Sequence, residues 1–597
     1  MATMSKNLSA FLTAAVIIGL VGFVYWPVHT ADFVWDDQIC LYTGAALRHG
    51  DSWRHFLSAD FCDWKNYFRP LIVAMFATEL SIFDVAPGPM HLVSLGFHLL
   101  NTLLVGLLAR TLFPKPGASF FAALAMLLYG LHPALIEPVV WISCRADLVL
   151  TFFTLLGLLA NTSFRRTWIR ALAVAGCFFL AACAKESAVT FPLLLVLFDW
   201  IQLDPLVGER DFAQQVQALW RRQWPVYVAV FGAGLGYLAL RSIALGYLLD
   251  SSPTVDLLAQ MQVVAYTFLT YWRILFWPMI GLAPTHIIDA TRFEAFSATN
   301  IGVDFAAIAI VLAGIFGTLR RKPLCYAILV ITIALLPVLH VVPVQFDPSL
   351  YHERYVMLGL ALALALLPRI GSAIALPPAK LRRAMAGAVV IGVFWLGAAV
   401  LNIRVTVPLW SNHTRLWQWE LLRDPTSQAA KINLLGLYID HHDSVHAREI
   451  ADQLFADETP CALCMINVAF QALTDGDLAR AKKALERAQN TLPPGGNPRN
   501  WQSFILATGR LHELEGNAVE AEDDYRNAIA IDPLDPLAHM TYALFLARQG
   551  KAVEARATMD ETLPLWPPDE REGKRREFER TLAKSAVSVA PSPVQRP

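Results

Sequence analysis

Apolar residues fill long blocks over the first two thirds of the chain and stop near Thr406, where Ala, Glu, Asp, Arg and Pro take over. Short basic runs separate the blocks. Cytoplasmic loops collect Lys and Arg, so the runs at Arg110 and Lys115, Arg165 to Arg170, Arg210 to Arg222, Arg320 to Lys322 and Arg369 to Arg383 belong on one side. That assignment predicts crossings at Leu8–Val28, His91–Leu112, Ser119–Leu131, Leu148–Thr162, Ala171–Cys183, Val189–Ile201, Pro225–Tyr247, Ile301–Leu319, Leu324–Val342, Tyr355–Leu367 and Ala384–Val405. They number about eleven, several shorter than the ~20 residues that an untilted span needs. Leu71 to Phe83, which carries Glu79, and Leu257 to Ile280, which carries Gln260, Gln262 and Arg273, are expected to lie at the outer interface instead. Leu8 to Val24 is expected to be an uncleaved anchor, since no small-residue cleavage site follows it cleanly.

Beyond Thr406 a repeat emerges. Ala447, Ala481, Ala521 and Ala555 recur at spacings of 34, 40 and 34 residues, and the long step holds a Pro494-Gly495-Gly496-Asn497-Pro498 loop. In the third copy Gly509, Ala521, Tyr525, Ala528 and Pro533 are the small, aromatic and proline positions that let two antiparallel helices pack closely and then stop. The fourth repeats this with Ala543, Ala555 and Pro567. A 34-residue period is that of tetratricopeptide repeats. The prediction is an all-α protein in three parts: a polytopic membrane bundle over residues 1–407, a repeat solenoid over 408–567, and a terminal helix with a disordered tail over 568–597.

With 597 residues, 56% hydrophobic composition and a mean hydropathy of +0.45, the chain is too apolar for a soluble enzyme. A net charge of -1 with no basic face argues against a nucleic-acid partner. An odd number of crossings puts the repeat module on the outer side, together with four polar clusters: Asp36 with Asp37, Tyr67 to Arg69, His132 to Asp147, and His352 to Arg354. Lys185-Glu186 joins them. Adjacent carboxylates are too costly for hydrocarbon, and prolines, an imidazole and charges at membrane depth are tolerated where they line a polar cavity. Simple pairing of Arg145 with Asp147 or Glu137, of Lys185 with Glu186, and of Glu353 with Arg354 is the plainer alternative.

Together the clusters offer carboxylates able to take a proton and cations able to hold an anion. Displacement of a lipid phosphate from an activated sugar needs both: a base for the acceptor hydroxyl and fixed cations for the departing phosphate. Single-step displacement predicts inversion at the anomeric carbon. No cofactor beyond the lipid-linked sugar is demanded, no metal ligand set is assigned, and a divalent ion is not excluded.

The acid pair in the first outer loop, the Tyr67-Phe68-Arg69-Pro70 element, a second acidic outer loop and the many spans resemble the GT-C class of polyprenyl-phosphate-sugar-dependent glycosyltransferases. HP-x3-E-x3-W-I-x2-R-x-D at 132 to 147, A-K-E at 184 to 186 and E-R-Y at 353 to 355, followed by the repeats, resemble the transmembrane and tetratricopeptide repeat (TMTC) protein O-mannosyltransferases. The resemblance implies Asp36 as catalytic base with Asp37 supporting it, and Arg69, Lys185 and Arg354 as phosphate-binding residues. Tyr67, His132, Glu137, Arg145, Asp147 and Glu353 would shape the sugar and acceptor cavity. The chain departs from the family at 355 to 359, where Tyr-Val-Met-Leu-Gly stands for the more usual Tyr-Leu-Tyr-Leu-Pro.

The function expected is therefore transfer of a mannose-like sugar from a polyprenyl-phosphate donor to Ser or Thr hydroxyls of exported proteins, the polypeptide lying in the repeat groove. The same chemistry on an envelope glycan or lipid, and a non-catalytic membrane-anchored scaffold, are the alternatives. From the short loops and the lack of a retention signal the protein is expected in a bacterial inner membrane, with membrane lipid around it and the site and repeats in the periplasm. There the Cys40 and Cys62 pair and the Cys461 and Cys464 pair could each be a disulfide or packed thiols.

Overall fold

The computed structural model describes residues 2–42, 47, 67–113, 117–203, 211–246, 256–288, 290–293, 297–342, 349–374 and 377–589. Cys62, Lys115, Arg210 and the last eight residues of the expected tail lie outside them. The protein is all-α, with no strand among the described residues.

In the membrane module α1 (Ala2–Tyr25) is followed by α2 (Pro70–Phe83), α3 (Pro87–Leu112), α4 (Ala118–Gly130), α5 (Arg145–Ser163), α6 (Thr167–Ala184) and α7 (Phe191–Ile201). Next come α8 (Phe212–Leu245), α9 (Leu257–Phe276), α10 (Ala298–Leu319), α11 (Pro323–Leu335), α12 (Met357–Ala365) and α13 (Pro378–Thr406). Among the described residues seven helical stretches are long and apolar enough to cross a membrane: Leu8–Thr30, Pro87–Leu112, Ile142–Ser163, Thr167–Ala184, Phe212–Leu245, Ala298–Leu319 and Ala379–Trp410. An eighth is the pair Ala118–Gly130 and Pro133–Val140, bent by 56°. The three other expected crossings correspond to the shorter helices α7, α11 and α12. The expectation of about eleven crossings therefore exceeds the number of full-length helices, because these three apolar runs are broken by turns at Glu186–Thr190, Leu336–Val338 and Leu366.

The crossing expected to begin at Pro225 begins earlier. Helix α8 starts at Phe212 under the cap of Asp211, whose carboxylate accepts from the Gln214 amide, and runs through Pro225. Arg221 and Arg222 thus sit on the helix rather than in a loop. Neither α2 nor α9 is among the seven, yet both bury one face in the bundle, α2 through Ile72, Phe76 and Glu79 and α9 through Phe268, Tyr271 and Ile274.

After α13 the chain forms α14 (His413–Arg423), α15 (Gln428–Asp440), α16 (Ser444–Ala456), α17 (Ala462–Asp475), α18 (Leu478–Thr491), α19 (Pro498–Glu515), α20 (Ala518–Ile531), α21 (Pro536–Arg548), α22 (Ala552–Thr562) and α23 (Arg571–Val589). From α15 to α22 these pair as four consecutive hairpins, and each of Ala447, Ala481, Ala521 and Ala555 is fully buried on the second helix of its hairpin. Gly509 faces Asp524 and Tyr525 so closely that an added Cβ would lie 3.0–3.1 Å from their side-chain atoms.

The turns repeat as well. The first helix of each hairpin ends at a left-handed residue, His442, Gly476, Gly516 or Gly550. The next amide, from Asp443, Asp477, Asn517 or Lys551, bonds to a carbonyl five residues back. The first copy thus uses a histidine where the others use glycine. Cys461 and Cys464, at the start of α17, are joined by a disulfide.

The two modules share a core. Trp410, Leu416, Trp417, Ala430 and Leu434 pack into one buried cluster with Val21 and Tyr25 at the end of α1, Val28 and Val34 in the segment that follows it, and Val140 and Trp141. Farther along, the Tyr42 hydroxyl donates to Asp569 (3.3 Å), so the end of the hairpin stack returns to the segment that follows α1.

Candidate active site

The acid pair follows a turn that α1 delivers and the rest of the bundle locks. Val28 and Val34 are fully buried, Asp32 N–H donates to the Ser411 carbonyl (3.0 Å), and Trp35 adopts a left-handed conformation at φ 53°. A bulky residue held there costs about 1–3 kcal/mol, so the surroundings must over-determine it. The two carboxylates then diverge. Asp37 is fully buried and accepts from Ser143 Oγ (2.5 Å), Ser143 N (2.8 Å), Ile142 N (3.3 Å) and Val34 N (3.4 Å). Burial pushes its carboxyl up to about 6 against the pull of those bonds. Asp36 is half-exposed.

Beside the turn lies a network drawn from five separate segments. Arg354 Nη1 bonds to Glu137, its backbone N–H reaches the same carboxylate (3.4 Å), and its Nε stands 3.7 Å from Asp147. Lys185 Nζ donates to both Asp147 oxygens (2.6 and 2.7 Å). At the more exposed rim Arg69 grips Glu186 through Nε and Nη2 (3.1 and 3.0 Å) and lies over the Tyr67 ring (4.2 Å), while Arg241 of α8 stands 3.9 Å from Glu186. Burial would raise the Glu186 carboxyl, but the Arg69 guanidinium holds it below the ordinary carboxylate range. His352 Nδ1 lies 3.2 Å from Glu137. Tyr355 supports both inner cations, with Lys185 and Arg354 each 4.7 Å from its ring and its hydroxyl accepting from Arg354 (3.2 Å). Trp141 links turn and network: it stacks on Trp35 at 4.5 Å, and Arg354 lies 5.3 Å from its ring.

Four cations, Arg69, Lys185, Arg241 and Arg354, thus meet three carboxylates, Glu137, Asp147 and Glu186. A surplus of positive charge in a largely desolvated setting suits a bound anion. Among the described residues no three His, Cys, Asp or Glu side chains converge as metal ligands.

The plainer pairings read from the sequence do not form. Arg145, with no exposure, bonds to Glu79, Ser94 Oγ (3.0 Å) and the Met90 carbonyl (2.7 Å), not to Asp147 or Glu137. Its guanidinium ties α2, α3 and α5 together, so the expected cavity role of Arg145 gives way to a packing role. Lys185 and Glu186, just past the end of α6, bond to different partners, Asp147 and Arg69. Glu353 pairs with His286 (2.7 Å), whose ring stacks on Tyr351, rather than with Arg354. His132 is also turned away from the charges: its Nδ1 accepts from the Ala134 amide (3.3 Å) and its Nε2 donates to the Leu275 carbonyl (3.1 Å). Both nitrogens are used by one neutral tautomer that starts the turn at Pro133.

Sequence reasoning missed Ser143, Arg241, His286 and Trp35. Arg241 alone carried a signal, as a charge inside an apolar block.

Fold and site together define a polytopic all-α membrane protein whose buried ion network lies beside an acidic turn. Part of the chain is similar to named enzymes. It is 34% identical over 191 residues to the protein O-mannosyl-transferase Tmtc2 of Drosophila melanogaster, covering 28% of this chain and 19% of that protein. It is 30% identical over 193 residues to TMTC2 of Mus musculus (30% and 22%) and 32% identical over 196 residues to mouse TMTC1 (31% and 19%). The chain spans about a fifth of the length of these curated relatives. No family profile and no solved structure matches it.

Proposed function

We propose that this protein is a membrane glycosyltransferase that acts on proteins, moving a mannose-like sugar from a polyprenyl-phosphate donor to Ser or Thr hydroxyls with inversion. The observation that carries the reading is the half-exposed Asp36 on a turn that the Trp35–Trp141 stack joins to Arg354, part of a network in which four cations meet three carboxylates. Asp36 takes the acceptor hydroxyl's proton as that oxygen bonds to the anomeric carbon. The bond from that carbon to the phosphate oxygen breaks with its electron pair on the phosphate, and Arg69, Lys185 and Arg354 stabilise the departing charge. Asp37, saturated by four donors, orients the turn. The relatives' names, protein O-mannosyl-transferases, support a protein acceptor. The hairpins, read as tetratricopeptide repeats, would present the polypeptide from the periplasmic side of a bacterial inner membrane.

The test is transfer from a polyprenyl-phosphate sugar by the purified full chain. Asp36→Asn keeps the shape and removes the base, so turnover falls ~10²–10⁴-fold while donor binding persists. Wild-type turnover by this variant sinks the reading, and transfer only to lipid or glycan acceptors would replace the polypeptide. Deleting residues 444–589 leaves α14 and α15 in place and should lower transfer to protein more than hydrolysis of the donor.

A further inference from the structure

The acid turn is held from the side of the hairpin module. Trp35 precedes Asp36 in its left-handed conformation, with its ring stacked on Trp141 at 4.5 Å and 4° and met edge-on by Trp417 at 4.9 Å and 68°. Trp417 has no exposure, and it belongs to α14, the first helix after the last span. On the same helix His413 Nδ1 accepts from the Trp35 amide (3.2 Å), and its Nε2 lies 3.1 Å from the Trp417 indole N–H. Both of these neighbours are donors, and the Asn433 side chain is a third hydrogen-bond partner of the ring; a neutral imidazole carries one proton and so accepts at one nitrogen at a time. The bond to Trp35 forms in the tautomer with the proton on Nε2. It satisfies an amide that the left-handed turn removes from helical pairing. The Asn412 side chain caps α14 at the Thr414 and Arg415 amides (2.9 and 3.3 Å), which fixes the start of the helix from which His413 reaches out.

We propose that His413 is a positioning residue for the acid pair: by accepting the Trp35 amide it fixes the turn that presents Asp36, so the base of the hairpin module completes the site. This rests on Asp36 being the base, and it goes beyond that reading by making α14 part of the catalytic geometry. A near-attack arrangement is sensitive at the 1 Å level, so loosening the turn lowers the chemical step more than donor binding.

The experiment compares His413→Phe, which fills the space without an acceptor, with His413→Asn, whose side-chain oxygen falls near the position of Nδ1. Both are made in the full chain, purified in detergent, with Asp36→Asn alongside. His413→Phe should lower kcat roughly 10- to 100-fold at unchanged donor KM, and His413→Asn should recover most of it. Hydrogen exchange should show a protected Trp35 amide in the wild type and faster exchange over residues 33–40 in His413→Phe, with α16 to α22 unchanged. Wild-type kcat in His413→Phe, failure of His413→Asn to recover, or an unprotected Trp35 amide in the wild type would each overturn the proposal. The last needs no variant to fold. An active Asp36→Asn would remove the base assignment, whereas an inactive Asp36→Asn beside an active His413→Phe would remove the positioning role alone.

Discussion

The hairpin module and the charged face of the membrane module handle charge in opposite ways. In the hairpins the interior is largely alanine and other small or apolar side chains, and each ion pair keeps at least one partner well exposed, as in Arg448 with Asp475 (59% and 22%) and Arg548 with Glu513 (31% and 5%). In the membrane module the interior itself holds charge: Arg145 with Glu79, Lys185 with Asp147 and Arg354 with Glu137 all have side chains at most 10% exposed. A surface pair is worth little, but removing one partner of a buried pair strands the other in low dielectric. Buried charge persists at such cost where it serves a site, or where it ties helices that hydrocarbon surroundings do not otherwise force together.

The sharpest way to break this comparison is Arg354→Ala. It takes from Glu137 and Asp147 the cation they share and removes a phosphate partner, so transfer should fall more than ~10²-fold with weaker donor binding. Arg354→Lys should not rescue it, because a compact ammonium cannot span Glu137, Asp147 and Tyr355 as the guanidinium does. Turnover and donor affinity of the purified variants decide this.

Arg145 separates a packing charge from a functional one. Arg145→Met should destabilise the protein by about 3–5 kcal/mol, and the double change with Glu79→Met should restore most of the loss. A double-mutant cycle on unfolding in detergent measures it; a catalytic Arg145 would leave the restored double variant inactive.

Asp37 gives the pH test. Its carboxyl is raised from the ordinary 3.8 to about 6 by burial, so between those values the folded protein binds the extra proton. Its stabilising contribution therefore falls as pH rises through that window and is level above it. The stability gap between the wild type and Asp37→Asn should narrow from pH 4 to pH 6; a gap that widens would refute the assignment.

In the hairpins the effects are smaller. Gly509→Ala puts a methyl against Asp524 and Tyr525 and should cost about 1–3 kcal/mol. His442→Gly should stabilise by up to about 1 kcal/mol, since it relieves the one non-glycine among the four equivalent left-handed turns at some cost in chain entropy. Arg448→Ala should cost less than about 1 kcal/mol. Thermal midpoints rank the three.

The sequence alone determined the all-α class, most of the spans, and the hairpins down to their period. Hairpin contacts join residues that are near in the chain, so alanine at 447, 481, 521 and 555 and left-handed turns at 442, 476, 516 and 550 repeat with the same spacings. It also picked out most of the charged residues of the site, since charge inside apolar blocks is conspicuous. Only the tertiary structure decided which of them meet. Arg69 reaches Glu186 across 117 residues, Asp37 reaches Ser143 across 106, and Arg354 reaches Glu137 across 217. No local spacing records such partners, because they are chosen by which helix ends the packed bundle brings to one face. The same holds for Trp35 and His413, 378 residues apart, whose bond exists because the end of α13 returns the chain to the foot of α1.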